Sequence, residues 1–242
     1  MRLTIAAILI GATGAVATAQ TLTVPATARV VSDHAERTCS GLANARELPL
    51  GVGRVLRVAD VVGAVSAGPS WPLVSADGGS TAPCGSGGTD IPSSTQIAGI
   101  VADRTMFLCG LFLGAGENDP IVPPRLEFNG PDEFSHVWPV LRQPFFIGDG
   151  RQHGTGAYQT FAVPDGAQSL SIGFAEGVPC FQGSWGGNCD NQGELRVTLS
   201  FDDSCLAVLE PFGERVLCTG DGYRMDAEAL GVGPVEFQWE VH

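Results

Sequence analysis

Short apolar runs that alternate with glycine, proline and serine clusters dominate the hydrophobic pattern of this chain. No apolar repeat with the period of an α-helix persists over three turns, whereas the runs are rich in the valine, leucine and phenylalanine typical of strands. The pattern predicts strands over residues 21–31, 53–58, 61–67, 97–102, 106–113, 125–128, 144–147, 158–163, 169–175 and 194–201. Strands of this length and spacing favour an all-β fold, specifically an antiparallel β-sandwich.

The two ends of the chain differ from its middle. Residues 3–10 are apolar, follow Arg2 and precede the small residues Ala17 and Ala19, which is the arrangement of a secretory signal peptide cleaved near Ala19. That run is shorter than the roughly 20 residues needed to span a bilayer. We therefore expect a signal peptide at 1–19, a β-sandwich domain at 20–201 and a short C-terminal β extension at 202–242, in a protein exported to the periplasm or the exterior.

The net charge of the chain limits the classes of partner that it is expected to bind. The formal net charge is −13, and all thirteen basic residues are arginine. An acidic surface repels phosphate backbones and anionic lipid headgroups, so neither nucleic acid nor a membrane surface is an expected partner. Without lysine, Schiff-base chemistry and a P-loop are also excluded.

Seven cysteines follow the predicted signal peptide, and in an oxidising compartment they are expected to form disulfides. Two pairs are close in sequence, Cys180 with Cys189 and Cys205 with Cys218. A third bridge, Cys84 to Cys109, would hold down the long glycine-rich loop at 66–95, which is otherwise predicted to be a disordered insertion. One thiol is left over. No C-x-x-C motif supports a zinc site.

The stretch GGNCDNQGELRVTL at 186–199 carries the candidate chemistry. Asp190 and Asn191 offer adjacent side-chain oxygens at the end of a glycine-rich loop, and Glu176 follows the predicted strand at 169–175. Calcium binds six to eight oxygens from carboxylates, amides and backbone carbonyls, so these three residues are candidate metal ligands. The alternative is that Asp190 and Asn191 only cap a turn through their own backbone.

The segment DNQGELRVT at 190–198 resembles the closing motif of the calcium-dependent, galactose-binding bacterial lectins of the PA-I-like family. A longer ordered series resembles secreted bacterial relatives of that fold, many of which carry a PEP-CTERM sorting tail. The matching segments are MFLCGLFL at 106–113, RLEF at 125–128, QPFFIGDG at 143–150, QTFAVPDGA at 159–167 and LSIGFAEG at 170–177. The resemblance covers about residues 22–201, and the sorting tail itself is missing.

The resemblance implies a jelly-roll-like, galactose-binding-domain-like sandwich in which Asp190 and Asn191 bind calcium and sugar hydroxyls complete its coordination. Glu176 would stand for the upstream acid of the lectins, although the loop is longer here. Trp185, inside the predicted Cys180–Cys189 loop, is a candidate for stacking on a sugar or for packing on its own loop. The expected partner is a carbohydrate or glycoconjugate. The alternative is a disulfide-stabilised structural or surface-matrix protein without sugar binding.

An enzymatic function is the least favoured class. His34, His136 and His153 are available, but no G-x-S-x-G nucleophile motif occurs, and the histidines are read as polar loop residues. Asp149 and Glu176 would be a glycosidase pair only if the fold brought their carboxyl groups to the required separation.

Overall fold

The computed structural model describes residues 18–31, 46–49, 55–80, 88–94, 96–115, 121–130, 134–176, 188–202, 205–210 and 213–218. Within these ranges the regular structure is β-strand apart from one 3₁₀ turn, Asn188–Asp190. The described residues include no helix with the length and apolar character of a membrane span. The chain is therefore all-β over its described part, as the hydrophobic pattern predicts.

Fourteen strands form four sheets in the described part of the chain. The strands are β1 (Thr18–Pro25), β2 (Arg46–Pro49), β3 (Val55–Ser66), β4 (Thr89–Ile91), β5 (Ile100–Ala102), β6 (Phe107–Gly114), β7 (Leu126–Phe128), β8 (His136–Val137), β9 (Phe145–Phe146), β10 (Thr160–Ala162), β11 (Ala167–Ala175), β12 (Gln192–Asp202), β13 (Cys205–Glu210) and β14 (Gly213–Cys218). The sheet orders are β1-β12-β3-β10-β8, β2-β11-β6-β9, β4-β5-β7 and β13-β14.

The largest hydrophobic cluster takes its side chains from both of the larger sheets. In β12 the alternation is strict, because Leu195, Val197 and Leu199 are fully buried whereas Glu194 and Arg196 are exposed. The same cluster includes Leu108 and Phe112 of β6, Leu170, Ile172 and Phe174 of β11, and Phe145 of β9. A strand with one apolar and one polar face is what a sheet with one solvated side requires.

Strand β6 is buried on both of its faces. Leu108 and Phe112 belong to the cluster just described, whereas Phe107, Cys109 and Leu111 belong to a second cluster with Ile91 and Ile100. This explains the unbroken apolar run at 107–113, because a strand covered on both sides has no polar face.

Cys109 corrects one disulfide prediction. It is a free cysteine with no exposed surface, in the middle of β6. Burial raises the pKa of its thiol well above the ordinary value. The predicted Cys84–Cys109 bridge is therefore wrong, because the Cys109 side chain packs inside the second hydrophobic cluster. Cys84 lies outside the described residues.

Hydrogen bonds, rather than that bridge, hold the described part of the long loop predicted at 66–95. Val65 and Val74 exchange two backbone hydrogen bonds of 3.0 and 2.7 Å, and Gly79 and Thr105 exchange two more of 3.0 and 2.9 Å. Residues 66–80 thus follow a defined path, and β4 forms at 89–91. For these residues the alternative of a disordered insertion is also wrong.

The strand predictions succeed best in the centre of the sheets. Strands β6, β11 and β12 confirm the predictions at 106–113, 169–175 and 194–201 to within two residues. The two strands predicted at 53–58 and 61–67 are one strand, β3, which passes through an irregularity in its register with β12 between Thr198 and Leu199. Thr198 pairs with Asp60 and Leu199 with Val58, so Ala59 is an extra residue in β3, and the strand continues past it.

Candidate functional site

The segment that follows β1 builds one side of the candidate site. Residues 26–30 leave the first sheet and cross closely over β11, where the Phe174 amide donates to the Ala28 carbonyl at 2.9 Å. The crossing depends on Gly173, because a Cβ there would lie 2.5 Å from the backbone of Arg29. The carbonyl groups of Ala26 and Ala28 are thereby presented to the turn that precedes β12.

That turn is the glycine-rich segment that the sequence singles out. Asn188–Asp190 form the 3₁₀ turn, Asn191 connects it to β12, and Gly193 adopts a positive φ of 91°. Any side chain at Gly193 would lie 2.3 Å from the carbonyl oxygen of Ala64 on β3. The glycine therefore permits β12 to pair with β3 from its first residues, which fixes the turn at the end of the sheet.

Glu176 and Asn191 are brought together, as predicted. Glu176 directly follows β11, and Asn191 directly precedes β12; they are 6% and 7% exposed. A side-chain hydrogen bond joins them. Asp190 is exposed beside them, and its charge acts on the Glu176 carboxyl. The turn therefore presents one acid to solvent and one amide to the interior.

Asn188 is a site residue that the sequence reasoning missed. Its side chain has no exposed surface, and its Nδ2 donates to the carbonyl oxygens of Ala28 at 3.0 Å and Phe174 at 3.2 Å. The two acceptors fix the side chain with its nitrogen toward them, so Oδ1 points elsewhere. That oxygen is buried and has no hydrogen-bond partner. The signal available in the sequence was an asparagine two residues before the predicted acid.

The amide of Asn191 is held in the same manner. Its Nδ2 donates to the carbonyl oxygen of Ala26 at 3.2 Å and contacts Met106 Sδ at 3.1 Å. Its Oδ1 is buried and has no hydrogen-bond partner. The alternative that Asn191 only caps a turn through its own backbone is therefore not what the described hydrogen bonds show.

Glu176 contributes a third oxygen of this kind, because its Oε2 is also buried without a hydrogen-bond partner. Burial raises the pKa of this carboxyl to about 7, the hydrogen bond with Asn191 opposes the rise, and the charge of Asp190 adds to it. No arginine or histidine is among these causes. Buried polar atoms in proteins are nearly always paired, so three unpaired oxygens on neighbouring residues require an explanation.

The oxygens are of the types that a hard cation binds. Calcium binds carboxylate and amide oxygens in variable number, and magnesium binds oxygen ligands in an octahedron. The described residues contain no group of three or more His, Cys, Asp or Glu side chains that could hold a metal ion. The set proposed here has one buried carboxylate and two amides, with the exposed carboxylate of Asp190 at its rim.

A second loop borders Asp190. Ser66 Oγ donates to the carbonyl oxygens of Gly68 at 2.7 Å and Trp71 at 2.9 Å, which closes residues 66–71 into a turn. A Cβ at Gly68 would lie 3.0 Å from Asp190 Oδ2 and 3.2 Å from Trp71 Cδ1. Asp190 and Trp71 thus flank the same glycine. This neighbour of the acid was not foreseen, because it comes from 120 positions earlier in the chain.

Several predicted residues are not described. Trp185, Cys180, Cys84 and His34 lie outside the described residues, so their roles stay predictions. Cys189 is disulfide-bonded, and its pairing with Cys180 stays a prediction. The backbone register of the β13-β14 hairpin places Cys205 opposite Cys218.

The residues considered for catalysis are separated into different environments. The Asp149 amide donates to Asp77 Oδ1 at 2.8 Å, and the pKa of the Asp149 carboxyl is raised by burial and by Asp77. Glu176 responds to different neighbours, so no shared carboxyl pair is evident. His136 contacts the Thr160 hydroxyl, and burial followed by the charge of Arg57 lowers its pKa.

Comparison with protein families, with curated proteins and with solved structures found no match to this chain.

Proposed function

We propose that this protein is an exported β-sandwich that binds calcium through Glu176, Asn188, Asn191 and Asp190 and uses the ion to bind carbohydrate. One observation carries the proposal. Three buried side-chain oxygens on Glu176, Asn188 and Asn191 have no hydrogen-bond partner, while the amide nitrogens of both asparagines are fully engaged. Each of these oxygens is of a type that a bound calcium ion would pair.

The electrostatics of Glu176 support a cation at this position. A buried carboxylate without a positive partner is costly, and the pKa of about 7 expresses that cost. A divalent ion would favour the ionised form and would offset the repulsion from Asp190. The ion is proposed to be calcium, because a mixed set of carboxylate and amide oxygens suits its irregular coordination better than the octahedron of magnesium.

The carbohydrate part of the proposal rests on the resemblance to the PA-I-like lectins. In that family the paired residues of the closing motif bind calcium, and sugar hydroxyls complete the coordination. Asp190 is exposed here, so an ion that it binds would be reachable from solvent. Trp71 flanks the same glycine as Asp190 and is a candidate for stacking on the apolar face of a sugar, and Trp185 stays a sequence-based candidate for the same role.

The proposal extends to the architecture. The two larger sheets share one hydrophobic cluster, which supports a two-layer sandwich of the jelly-roll type. We also propose that the chain is exported after cleavage near Ala19. Cleavage there would remove Thr18 and Ala19, the first two residues of β1, and leave the pairing from Gln20 onward intact.

A structural role for the same ion is the second candidate. Glu176, Asn188 and Asn191, which carry the unpaired oxygens, lie at the end of β11 and in the turn before β12. The asparagines also donate to the segment after β1, so a cation bound here would stabilise the junction of three parts of the chain. Under this candidate the ion raises stability and no glycan binds.

Calcium titration of the full chain by calorimetry tests the cation, with Glu176→Gln as the variant and Glu194→Gln as the control. Both substitutions remove one carboxylate, but Glu194 is exposed on β12. We expect calcium to bind the wild type and the control, and its affinity for Glu176→Gln to fall at least tenfold. Equal affinities would contradict the proposed ligand set.

A glycan array tests the use of the ion. Carbohydrate binding predicts a signal on some glycans that disappears with a chelator and in Asp190→Ala, but persists in Asp165→Ala, whose aspartate is exposed in another turn. Calcium binding with silence across a broad array would support the structural candidate. A glycan signal that survives chelation would remove the ion from the binding mechanism.

A further inference from the structure

A pocket elsewhere in the molecule shares no lining residue with the proposed calcium ligands Glu176, Asn188, Asp190 and Asn191. Its volume is about 410 Å³, at the small end of the range of about 300–1000 Å³ found for ligand pockets. Its lining combines aromatic rings with polar side chains on two short strands and the segments that follow them. Its polar and aromatic lining residues include Glu127, Phe128, Asn129, Phe134, His136 and Trp138.

Aromatic rings form the apolar part of this lining. Phe128 and Phe134 pack against each other with ring centroids 5.5 Å apart, and both contact Phe146 of the core. The rings of His136 and Trp138 lie 5.4 Å apart at 60°. The phenylalanines are anchored from behind by the core, so the aromatic lining is rigid before any ligand arrives.

Trp138 carries an unsatisfied donor. Its Nε1 is buried and has no hydrogen-bond partner, although buried indole N–H groups usually find one. Among the described residues that line the pocket, none supplies the missing acceptor. Because this N–H is enclosed, a ligand in the pocket would meet the ring of Trp138 and not this donor.

His136 offers a hydrogen-bond acceptor to the same pocket. Its Nδ1 lies against the Thr160 hydroxyl, and that hydroxyl is 3.5 Å from the Ser135 carbonyl oxygen. If the Thr160 hydroxyl donates to Ser135, it accepts from Nδ1–H, and Nε2 is left as an acceptor. Glu127 and Asn129 are exposed at the same pocket and add a carboxylate and an amide.

We propose that this pocket binds one hexopyranose ring of a glycan without a metal ion. A pyranose has an apolar C–H face for the aromatic side chains and hydroxyls that both donate and accept, which matches the lining. The volume suits a single ring. This proposal rests on the carbohydrate-binding function proposed above, but it does not depend on calcium.

The test follows the indole N–H signals of ¹⁵N-labelled protein, of which the four tryptophans supply one each. Trp138→Phe identifies the Trp138 signal by its loss. Methyl β-D-galactopyranoside and methyl β-D-glucopyranoside are then added at millimolar concentrations in the presence of a chelator. We expect at least one of them to shift the Trp138 signal in a saturable manner.

Variants locate the binding. Asn129→Ala and Glu127→Gln are expected to weaken binding severalfold. Both residues are exposed, so each substitution removes polar contacts to the ligand without disturbing the core. Ile121→Ala, which alters a different and mostly apolar pocket of about 520 Å³, is expected to bind like the wild type. Glu176→Gln should also retain the shift.

The outcomes separate the two proposals. A Trp138 signal that moves with neither glycoside overturns the pocket, whether or not calcium-dependent glycan binding is found. A shift that persists in the chelator while the glycan array shows no calcium dependence supports the pocket and overturns the calcium mechanism. A shift that is equal in the wild type, Asn129→Ala and Glu127→Gln also overturns the assigned pocket.

Discussion

At the scale of single residues, the hydrogen bonds of Asn188 and Asn191 determine which of their side-chain atoms are available for binding in the turn before β12. An asparagine in a loop is normally read as a turn former, because it bonds readily to its own backbone. Here Asn188 and Asn191 donate across the fold, to carbonyl groups of the segment that follows β1. Their nitrogens are therefore structural and their oxygens are available, a division that spacing along the chain does not reveal.

Glu176 gives the protein a pH-dependent stability in the absence of metal. The folded carboxyl has a pKa of about 7, against 4.5 as its ordinary value. Between these pH values the unfolded chain releases a proton that the folded chain keeps, so the free energy of unfolding falls as pH rises through this window and levels off above it. We expect a loss on the order of 3 kcal/mol.

Denaturant unfolding in a chelator, at several pH values, measures this loss. Other carboxyls also titrate, so the comparison with Glu176→Gln isolates the contribution. The variant should lack the decline from pH 4.5 to 7 that the wild type shows. If both proteins lose stability in parallel over that window, the assignment to Glu176 is wrong.

We expect the Cys109 thiol to be unreactive toward alkylating reagents in the folded protein. The thiolate is the reactive form, and burial keeps the pKa of this thiol high. We expect no alkylation of Cys109 by iodoacetamide under native conditions and complete alkylation after unfolding without reduction. Peptide mass spectrometry reads the site directly. Modification of the native protein at Cys109 would contradict its burial in β6.

At the scale of elements, Gly110 shows why β6 tolerates no larger residue at its centre. A Cβ there would lie 2.7 Å from side-chain atoms of both Phe145 and Ile147, which are closed around the strand. Gly110→Ala is expected to lower the free energy of unfolding by about 1–3 kcal/mol through overpacking. Adding Ile147→Val should restore part of that loss, and a double-mutant cycle by chemical denaturation measures the coupling. Purely additive effects would argue against the contact.

The β13-β14 hairpin tests the remaining sequence prediction on cysteines. Its register pairs Cys205 with Cys218 at one end and Glu210 with Gly213 at the other. Opposed positions on antiparallel strands have Cβ atoms about 4.5–5.5 Å apart, close to the separation that a disulfide needs. Non-reducing peptide mapping should find the Cys205–Cys218 bridge, with Cys109 free. A bridge from either cysteine to Cys189 would contradict the pairing.

Elements could be predicted from the sequence where one physical pattern dominates. Strands β6, β11 and β12 can be predicted from apolar runs or strict alternation. Glu176 and Asn191 can be identified as candidates from the motif at the strand ends. The short strands β4 and β8 carry too few residues to show a period. Asn188 and Gly68 were missed, and the sequence did not place Trp71 beside Asp190, because these residues join the site through tertiary contacts, which no local pattern encodes.

At the scale of the whole molecule, the candidate site depends on contacts between distant parts of the chain. Asn188 reaches Ala28 across 160 positions, and Asn191 reaches Ala26 across 165. The residues at the site cannot be separated from the fold, so a short peptide from 186–199 would have the motif without the carbonyl groups that orient it.

The antiparallel pairing of β1 with β12 has a consequence for how the chain is made. Thr18 faces Phe201 and Pro25 faces Glu194, so the first strand of this sheet finds its neighbour only when nearly all of the described chain has been synthesised. Such non-local pairing slows folding. For the export proposed above this delay is an advantage, because β1 has no partner strand to pair with until β12 has also crossed the membrane.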